Sequence, residues 1–240
     1  MTESLDKHLE AYQGNSDYEF DNQLQLKWYP KRVVDSCQGL SSLLELGVGY
    51  GYTTNQFNKY FKRHVVVDAS AEIIGRFYTE FPDVNCEIHQ AYFESFETEE
   101  RFDVVTFGFV LEHVDDPVLV MSRFRKFLTP GGRMFAAVPN AESLNRRLGH
   151  HAGMLPDMKK LSEHDHLLGH KRYYTVDTFR DDIEAAGCSI AKMEGIFLKP
   201  FMTRQILELN LDPRLIDALC EVAIPYPELS CGILAEIAVN

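Results

Sequence analysis

The sequence lacks the segments that direct a protein into or across a membrane. Its first ten residues, MTESLDKHLE, have neither the basic start nor the apolar core of a signal peptide. No run approaches the ~20 apolar residues that a membrane-spanning helix requires. We therefore expect a cytoplasmic protein with no membrane partner.

Cysteine is scarce, and basic charge is outweighed by acidic charge. The five cysteines are scattered, without a CxxC pair or a zinc-like spacing, so we expect reduced and mostly buried thiols. The net charge of −12 leaves no general basic surface to neutralise phosphates. We therefore expect a small-molecule partner and no nucleic acid, and the sequence leaves open whether the chain forms a homodimer.

Short β-branched runs alternate with amphipathic stretches, which is typical of a parallel sheet covered by helices. Candidate strands are SLLEL, HVVVD, VNCEIH, FDVVTFG, RMFAAVP, CSIAKMEGIFL and CGILAEIAV. Predicted helices cover 53–62, 71–81, 117–128 and 176–186, with a turn at TPGG. This order indicates a doubly wound α/β sheet, which binds ligands at the carboxyl ends of its strands.

The length indicates one domain over residues 1–240. With 45 % hydrophobic residues, the chain can bury one large core and is short for two ordinary domains. The strand–helix alternation is interrupted at about 140–174 and 200–227, and segments of this length are usually functional. We expect both to be insertions beside the ligand pocket.

The stretch SLLELGVGYGYT places Gly47, Gly49 and Gly51 where the first predicted strand ends. A strand-to-helix turn needs glycine where the backbone adopts positive φ or approaches a ligand closely. Dinucleotide-binding turns have the spacing G-x-G-x-x-G, whereas here the spacing is G-x-G-x-G and Tyr52 follows. Glu45, just before the first glycine, would repel a pyrophosphate and attract a cation. The pattern therefore argues against an NAD-dependent oxidoreductase.

These residues resemble the first motif of the class I S-adenosylmethionine (SAM)-dependent methyltransferases, E/D-x-G-x-G-x-G. The cofactor of that family carries an ammonium group and no phosphate. The resemblance continues in HVVVDAS, where Asp68, followed by Ala69, would hold the ribose hydroxyls at the end of the second strand. It implies SAM as cofactor and a Rossmann-like, three-layer α/β/α fold with seven strands. That sheet is mostly parallel, with an antiparallel last strand.

A third similar stretch, AYFESFETEERFDVVTFGFVLEHVDDP, completes the motif order over roughly residues 40–140. By this resemblance Tyr92 and Phe93 border the adenine, while Gly108 and Phe109 lie under the methionine part. The alternative is that Tyr92, Phe93 and Phe107 are ordinary core aromatics.

The run FVLEHV is compared with E-x-x-E-H, which binds a divalent metal in ubiquinone O-methyltransferases and small-RNA 2′-O-methyltransferases. Phe109 stands where the first Glu of that motif would be. Glu112 and His113 alone are a poor metal site without further carboxylates or imidazoles. We therefore predict no metal, and His113 either faces the pocket or has a structural role in its turn.

The insertion contains LSEHDHLLGHKRYYT, in which His164, Asp165, His166 and His170 are close in sequence. They form either a polar lid with one catalytic imidazole or, without a recognised spacing, a metal site. A segment like GHKRYYT occurs in small-molecule methyltransferases, which implies that His166, His170, Arg172 and Tyr174 meet the methyl acceptor. The alternative is a helix start capped by Thr175 with basic surface neighbours.

Residues 1–38 precede the first strand, and in related enzymes such a segment caps the cofactor and part of the acceptor pocket. Tyr18, Trp28 and Tyr29 are its candidate contacts, and a plain amphipathic helix packed on the sheet is the alternative. A hydroxyl acceptor needs a base near neutral pH, and histidine is suited to that role. Because the sequence offers His170 and His113 as such bases, we favour O-methylation. N-methylation and SAM binding without catalysis are the alternatives.

Overall fold

The computed structural model describes residues 17–239. Within this range the chain forms seven strands and nine helices. The strands are β1 (Ser42–Leu46), β2 (Arg63–Asp68), β3 (Glu87–Gln90), β4 (Phe102–Gly108), β5 (Leu128–Pro139), β6 (Cys188–Ile196) and β7 (Gly232–Val239). The helices are α1 (Asp17–Ser36), α2 (Tyr52–Phe57), α3 (Ala71–Glu80), α4 (Pro117–Phe124), α5 (Leu144–His151), α6 (Glu163–Leu167), α7 (Val176–Ala185), α8 (Thr203–Glu208) and α9 (Pro213–Ala223).

The strands form one sheet in the order β3-β2-β1-β4-β5-β7-β6. The pairs β1–β2, β2–β3, β1–β4 and β4–β5 are parallel. In contrast, β7 runs antiparallel to both β5 and β6. The predicted seven-stranded sheet with an antiparallel last strand is therefore confirmed. Since the strand order reverses between β1 and β4, a crevice opens at the carboxyl ends of these two strands.

Helices cover both faces of the sheet because its central strands are apolar on both sides. On one face Leu44 and Leu46 of β1 join a core that includes Phe124 of α4. On the other face Leu43 joins a core that includes Tyr29 of α1. This alternation, with successive side chains on opposite faces, produces the three layers.

Two local predictions differ from the structure. α2 ends at Phe57 rather than near residue 62. Beyond it, the N–H groups of Lys59 and Tyr60 donate to carbonyls three residues earlier, which tightens the backbone into a turn. This tight turn returns the chain to β2. The segment TPGG lies inside β5 rather than in a free turn, next to a shift of register between β4 and β5.

The two interruptions of the alternation contain short helices. α5 and α6 lie in the first, and α8 and α9 lie in the second. Asn140 connects the two segments, since its side-chain amide donates to the carbonyls of Pro227 (3.1 Å) and Ser230 (2.9 Å). Within residues 17–239, no helix combines the length and apolar character that crossing a bilayer would require.

Candidate active site

A cavity of about 1150 Å³ opens at the carboxyl ends of the central strands. Its wall includes all ten residues that the sequence predicts to bind the cofactor, from four separate parts of the chain. These residues are Glu45, Gly47, Gly49, Gly51, Asp68, Ala69, Tyr92, Phe93, Gly108 and Phe109. The wall also includes His113 and His170, so the structure brings both candidate bases to the same cavity.

The glycine turn has the backbone that its sequence requires. Gly47, Gly49 and Gly51 have φ angles of 79°, 53° and 78°, a region that side-chain-bearing residues rarely adopt. A Cβ at Gly51 would also lie 2.7 Å from the ring of Phe77. The three glycines therefore permit both the turn and the packing of α3 beneath it.

Asp68 holds this turn from the neighbouring strand. Its Oδ2 accepts from the Val48 N–H at 2.8 Å, and its Oδ1 accepts from the Ser70 N–H at 2.9 Å. Burial raises the pKa of Asp68, and these backbone donors partly offset the rise. The backbone N–H of Ala69 also contributes to this carboxylate, and the remaining acceptor capacity is available to a ligand hydroxyl.

Glu45 has a partner that sequence reasoning missed. Its Oε2 lies 2.8 Å from Nε2 of His64 on β2, and Glu45 and His64 are 1 % and 2 % exposed. A histidine within a β-branched strand gives no sequence signal that distinguishes it from an ordinary core residue. The carboxylate expected to meet a cation is thus held by an imidazole beneath the cavity.

The aromatic candidates divide between the cavity wall and the core. Tyr92 is an exposed residue of the wall, while the ring of Phe93 packs edge-to-face on Phe124 at 6.4 Å. Phe107 is fully buried and does not line the cavity, as the core alternative predicts. Phe109 has a φ of 56°, and its ring packs against α1.

Tyr29 brings α1 to the floor of the cavity. A Cβ at Gly108 would fall on the Tyr29 hydroxyl, so the absence of a side chain there makes room for the phenol. Burial and then the charge of Glu45 raise the pKa of Tyr29, which keeps the phenol protonated. Asn22, Gln25 and Leu26 of α1 complete this part of the wall.

Three functional groups meet on the opposite side of the cavity. Ligand atoms of Glu112, His113 and His170 lie within 4.8 Å of one another, and the two imidazole rings have centroids 4.7 Å apart. Glu112 is 1 % exposed, and its Oε2 has no hydrogen-bond partner within residues 17–239. Burial raises the pKa of Glu112 to about 7, although the neighbouring His170 opposes the rise.

Asp165 supports this cluster from α6. It lies 3.3 Å from Nδ1 of His170 and accepts from the hydroxyls of Ser162 (2.6 Å) and Tyr173 (3.0 Å). Burial alone would raise the pKa of Asp165, but the contacts from His170 and Ser162 lower it below its ordinary value. The Asp165 carboxylate lies at ion-pair distance from Nδ1 of His170, although no hydrogen bond joins the two groups in the described structure.

Three of the predicted acceptor-binding residues do not line the cavity. Arg172 donates to the backbone carbonyls of Leu111 (2.9 Å) and Val114 (2.7 Å), so it fixes the loop after β4 instead. Tyr174 is 2 % exposed in the core, and its hydroxyl donates to an aspartate on α7. His166 is exposed on α6 and lies outside the wall.

Of the two remaining aromatic candidates of the N-terminal segment, the structure describes the side chain of Trp28. Trp28 lies outside the wall and packs partly buried on the core, with Nζ of Lys31 4.6 Å from the centre of its ring. The side chain of Tyr18 falls outside the part of the chain that the structure describes.

The donor set of the Glu112 cluster suits a divalent metal ion better than the sequence indicates. His170 supplies a third group, and two imidazoles with one carboxylate are a recognised set of metal ligands. The unpartnered oxygen of Glu112 is available to an ion. Phe109 adds no ligand, because a phenyl ring carries no N, O or S donor atom. The argument that Glu112 and His113 lack a third ligand is therefore wrong, while the absence of a metal stays a prediction.

The fold and the glycine turn define a class I methyltransferase, and comparison with known sequences agrees. The profile of the family described as Methyltransferase domain matches residues 20–192, and the protein belongs to this family. It is a SAM-dependent methyltransferase. The chain is 28 % identical to a ubiquinone biosynthesis O-methyltransferase of Aeromonas salmonicida, over 80 % of both chains. A protein of the same description from Nitrobacter winogradskyi is 27 % identical over 75 % of this chain and 69 % of its own.

Solved structures share the fold at low sequence identity. The magnesium protoporphyrin IX methyltransferase of Synechocystis PCC 6803, with bound S-adenosylhomocysteine (SAH), has a TM-score of 0.64 and 13 % identity, covering 98 % of this chain and 94 % of its own. The N-methyltransferase NodS of Bradyrhizobium japonicum, also with SAH, has a TM-score of 0.61 and 16 % identity, covering 99 % of this chain and 100 % of its own. These similarities support the fold alone.

Proposed function

We propose that this methyltransferase acts on a hydroxyl group of a small molecule, with Glu112 and His170 accepting the hydroxyl proton. The observation that carries the proposal is the buried Glu112 carboxyl, whose pKa of about 7 lies within working range, beside His113 and His170 in the cavity wall. The ubiquinone relatives are named as O-methyltransferases, which supports the choice of oxygen.

The chemistry explains why such a base is needed. The sulfonium methyl is already a strong electrophile, so transfer depends mainly on holding acceptor, methyl and sulfur in line at close distance. A neutral hydroxyl must also lose its proton, and a base is most effective when its pKa lies near the operating pH. Should a divalent ion be bound, Glu112, His113 and His170 would hold it, and the ion would supply Lewis-acid activation of the acceptor oxygen.

The charges around the cavity favour an acceptor without negative charge. Six carboxylate residues line the described wall, namely Glu45, Asp68, Glu94, Glu112, Asp115 and Asp116. Lys171 is the single Lys or Arg side chain of that wall, and its ammonium pairs with Asp115. Because an anion would meet this field without a free cation, we propose a neutral or cationic acceptor. We also propose that the enzyme acts in the cytoplasm, as expected from the sequence.

Replacing the candidate bases tests the proposal, with catechol and benzylamine as matched hydroxyl and amine probes. We expect methylation of catechol, and His170→Ala should reduce its kcat by roughly 10²- to 10⁴-fold with unchanged affinity for SAH, because the imidazole acts on the acceptor. The acidic limb of the kcat profile should follow protonation of Glu112, whose pKa is about 7.

His113→Ala is the matched control, since it removes the other imidazole of the same cluster. Loss of turnover in this variant alone would make His113 the base in place of His170. Methylation of benzylamine but not of catechol, at a rate unaffected by either variant, would contradict O-methylation. Activity should also survive EDTA; loss on chelation with recovery on adding Mg²⁺ or Zn²⁺ would make the cluster a metal site.

A further inference from the structure

His64 and Glu45 form a buried pair that is separate from the cluster of Glu112, His113 and His170. In the parallel pairing of β1 and β2, His64 is opposite Leu43, and Glu45 is opposite Val66. His64 and Glu45 are therefore diagonal neighbours on one face of the sheet. The imidazole reaches towards the carboxyl ends of the strands, where Glu45 lines the cavity.

The hydrogen bond fixes the tautomer of the imidazole. An ionised Glu45 only accepts hydrogen bonds, so the Nε2 of His64 must carry the proton. Nδ1 of the same ring is buried and has no hydrogen-bond partner within residues 17–239. An unpartnered buried polar atom lowers stability, and a valine like the next three residues would avoid this cost. The fold alone thus gives no reason for a histidine at this position.

The remaining oxygen of Glu45 is the one available to a ligand. Within the described residues, His64 is the hydrogen-bond partner of this carboxylate, and it uses Oε2. A lysine or arginine at position 64 would neutralise the carboxylate, whereas an imidazole can donate one hydrogen bond without adding charge. The negative charge beneath the glycine turn is thereby kept for a cationic group.

We propose that His64 is a positioning residue for the cofactor: it holds Glu45 Oε2 so that Oε1 faces the cavity and receives the ammonium of the methionine part. This role is independent of the acceptor. The reacting methyl is carried by the same methionine part, so the orientation of Glu45 contributes to the alignment of the sulfonium.

Two ligands that differ only at the amino acid end test this role. SAH carries the ammonium and carboxylate, whereas 5′-methylthioadenosine keeps the nucleoside and sulfur but lacks both charged groups. By calorimetry, His64→Leu should weaken SAH binding by roughly tenfold to a hundredfold, the equivalent of one charge-assisted hydrogen bond. The affinity for 5′-methylthioadenosine should stay within about twofold, since it never contacts Glu45.

Four further variants separate positioning from a structural effect. His64→Gln places an amide donor at a similar reach and should recover most of the SAH affinity, while His64→Asn is too short and should not. In a variant that already carries Glu45→Gln, His64→Leu should have little further effect on the affinity for SAH, because the two residues act through one contact. Asp68→Asn should weaken both ligands, since both contain the ribose.

Equal weakening of SAH and 5′-methylthioadenosine by His64→Leu and His64→Asn would show a structural role and overturn the proposal. Unchanged SAH affinity in either variant would overturn it as well. If His64→Leu does not fold, the comparison of His64→Gln with His64→Asn gives the same decision, because both keep a polar side chain at the site.

Discussion

At the residue scale, the buried carboxyl of Glu112 makes the stability of the fold depend on pH. It is fully buried, its Oε2 lacks a partner within the described residues, and burial raises its pKa from the ordinary 4.5 to about 7. Between these two values the folded chain holds a proton that the unfolded chain has released. The free energy of unfolding therefore falls as the pH rises through this window.

Replacing this carboxyl by an amide should remove that pH dependence. We expect Glu112→Gln to match the wild type near pH 5 and to exceed its free energy of unfolding by about 3 kcal/mol above pH 8, from the difference between the two pKa values. Urea unfolding at both pH values, with EDTA present, measures this. A variant no more stable than the wild type at high pH would show that Glu112 has an ordinary pKa.

At the residue scale, the sequence located the cofactor motif better than the acceptor side. Glu45, the glycines and Asp68 occupy turns and strand ends, whose positions follow from local pattern. Arg172 and Tyr174 were predicted to meet the acceptor because they follow His170 in GHKRYYT, a segment that resembles one found in small-molecule methyltransferases. Their side chains point elsewhere, to carbonyls of the loop after β4 and into the core. Proximity in sequence could not reveal that.

At the scale of elements, the contact between α1 and β4 determines how the helix covers the cavity. Tyr29 occupies the space beside Gly108, so any side chain there must displace the phenol. We expect Gly108→Ala to lower the free energy of unfolding by about 1–3 kcal/mol, the usual cost of overpacking a buried site. It should also weaken SAH binding, because Gly108 and Tyr29 both line the cavity.

Gly75→Ala is the matched control for this change. Gly75 lies inside α3, and a Cβ there meets nothing within 4 Å. We expect this variant to be more stable than the wild type by roughly 0.5–1 kcal/mol, since alanine favours the helix over glycine. Urea titrations of both variants give the comparison. Equal stabilisation of Gly108→Ala and Gly75→Ala would mean that α1 does not pack on β4 as described.

Strands were more predictable than the short helices between them. Buried β-branched runs such as HVVVD reveal a parallel strand by composition alone. α2 was predicted too long because its end depends on the return of the chain to β2. The segments 140–174 and 200–227 were recognised as interruptions, but their helices pack on groups that are remote in sequence.

At the scale of the whole molecule, the site is assembled from parts that only the fold brings together. The residues predicted to bind the cofactor come from the ends of β1, β2 and β4 and from the segment after β3, while His170 comes from the segment before α7. Strand order at the reversal point predicts the first set. The meeting of His170 with Glu112 depends on the path of residues 140–174 and could not be derived from spacing. The sequence therefore kept Glu112 and His113 apart from the group His164–His170, whereas the structure places His170 beside both.

The most direct test of the account is which cofactor the folded protein binds. A ligand that binds only the folded state adds RT ln(1 + [L]/Kd), about 2.7 kcal/mol at a hundred times Kd. We predict that SAH raises the melting temperature in a thermal-shift titration, while NAD at the same concentrations produces no comparable shift. We expect this difference because the spacing of the glycine turn departs from the pyrophosphate-binding pattern and the carboxylate of Glu45 favours an ammonium. A larger shift with NAD than with SAH would contradict the account.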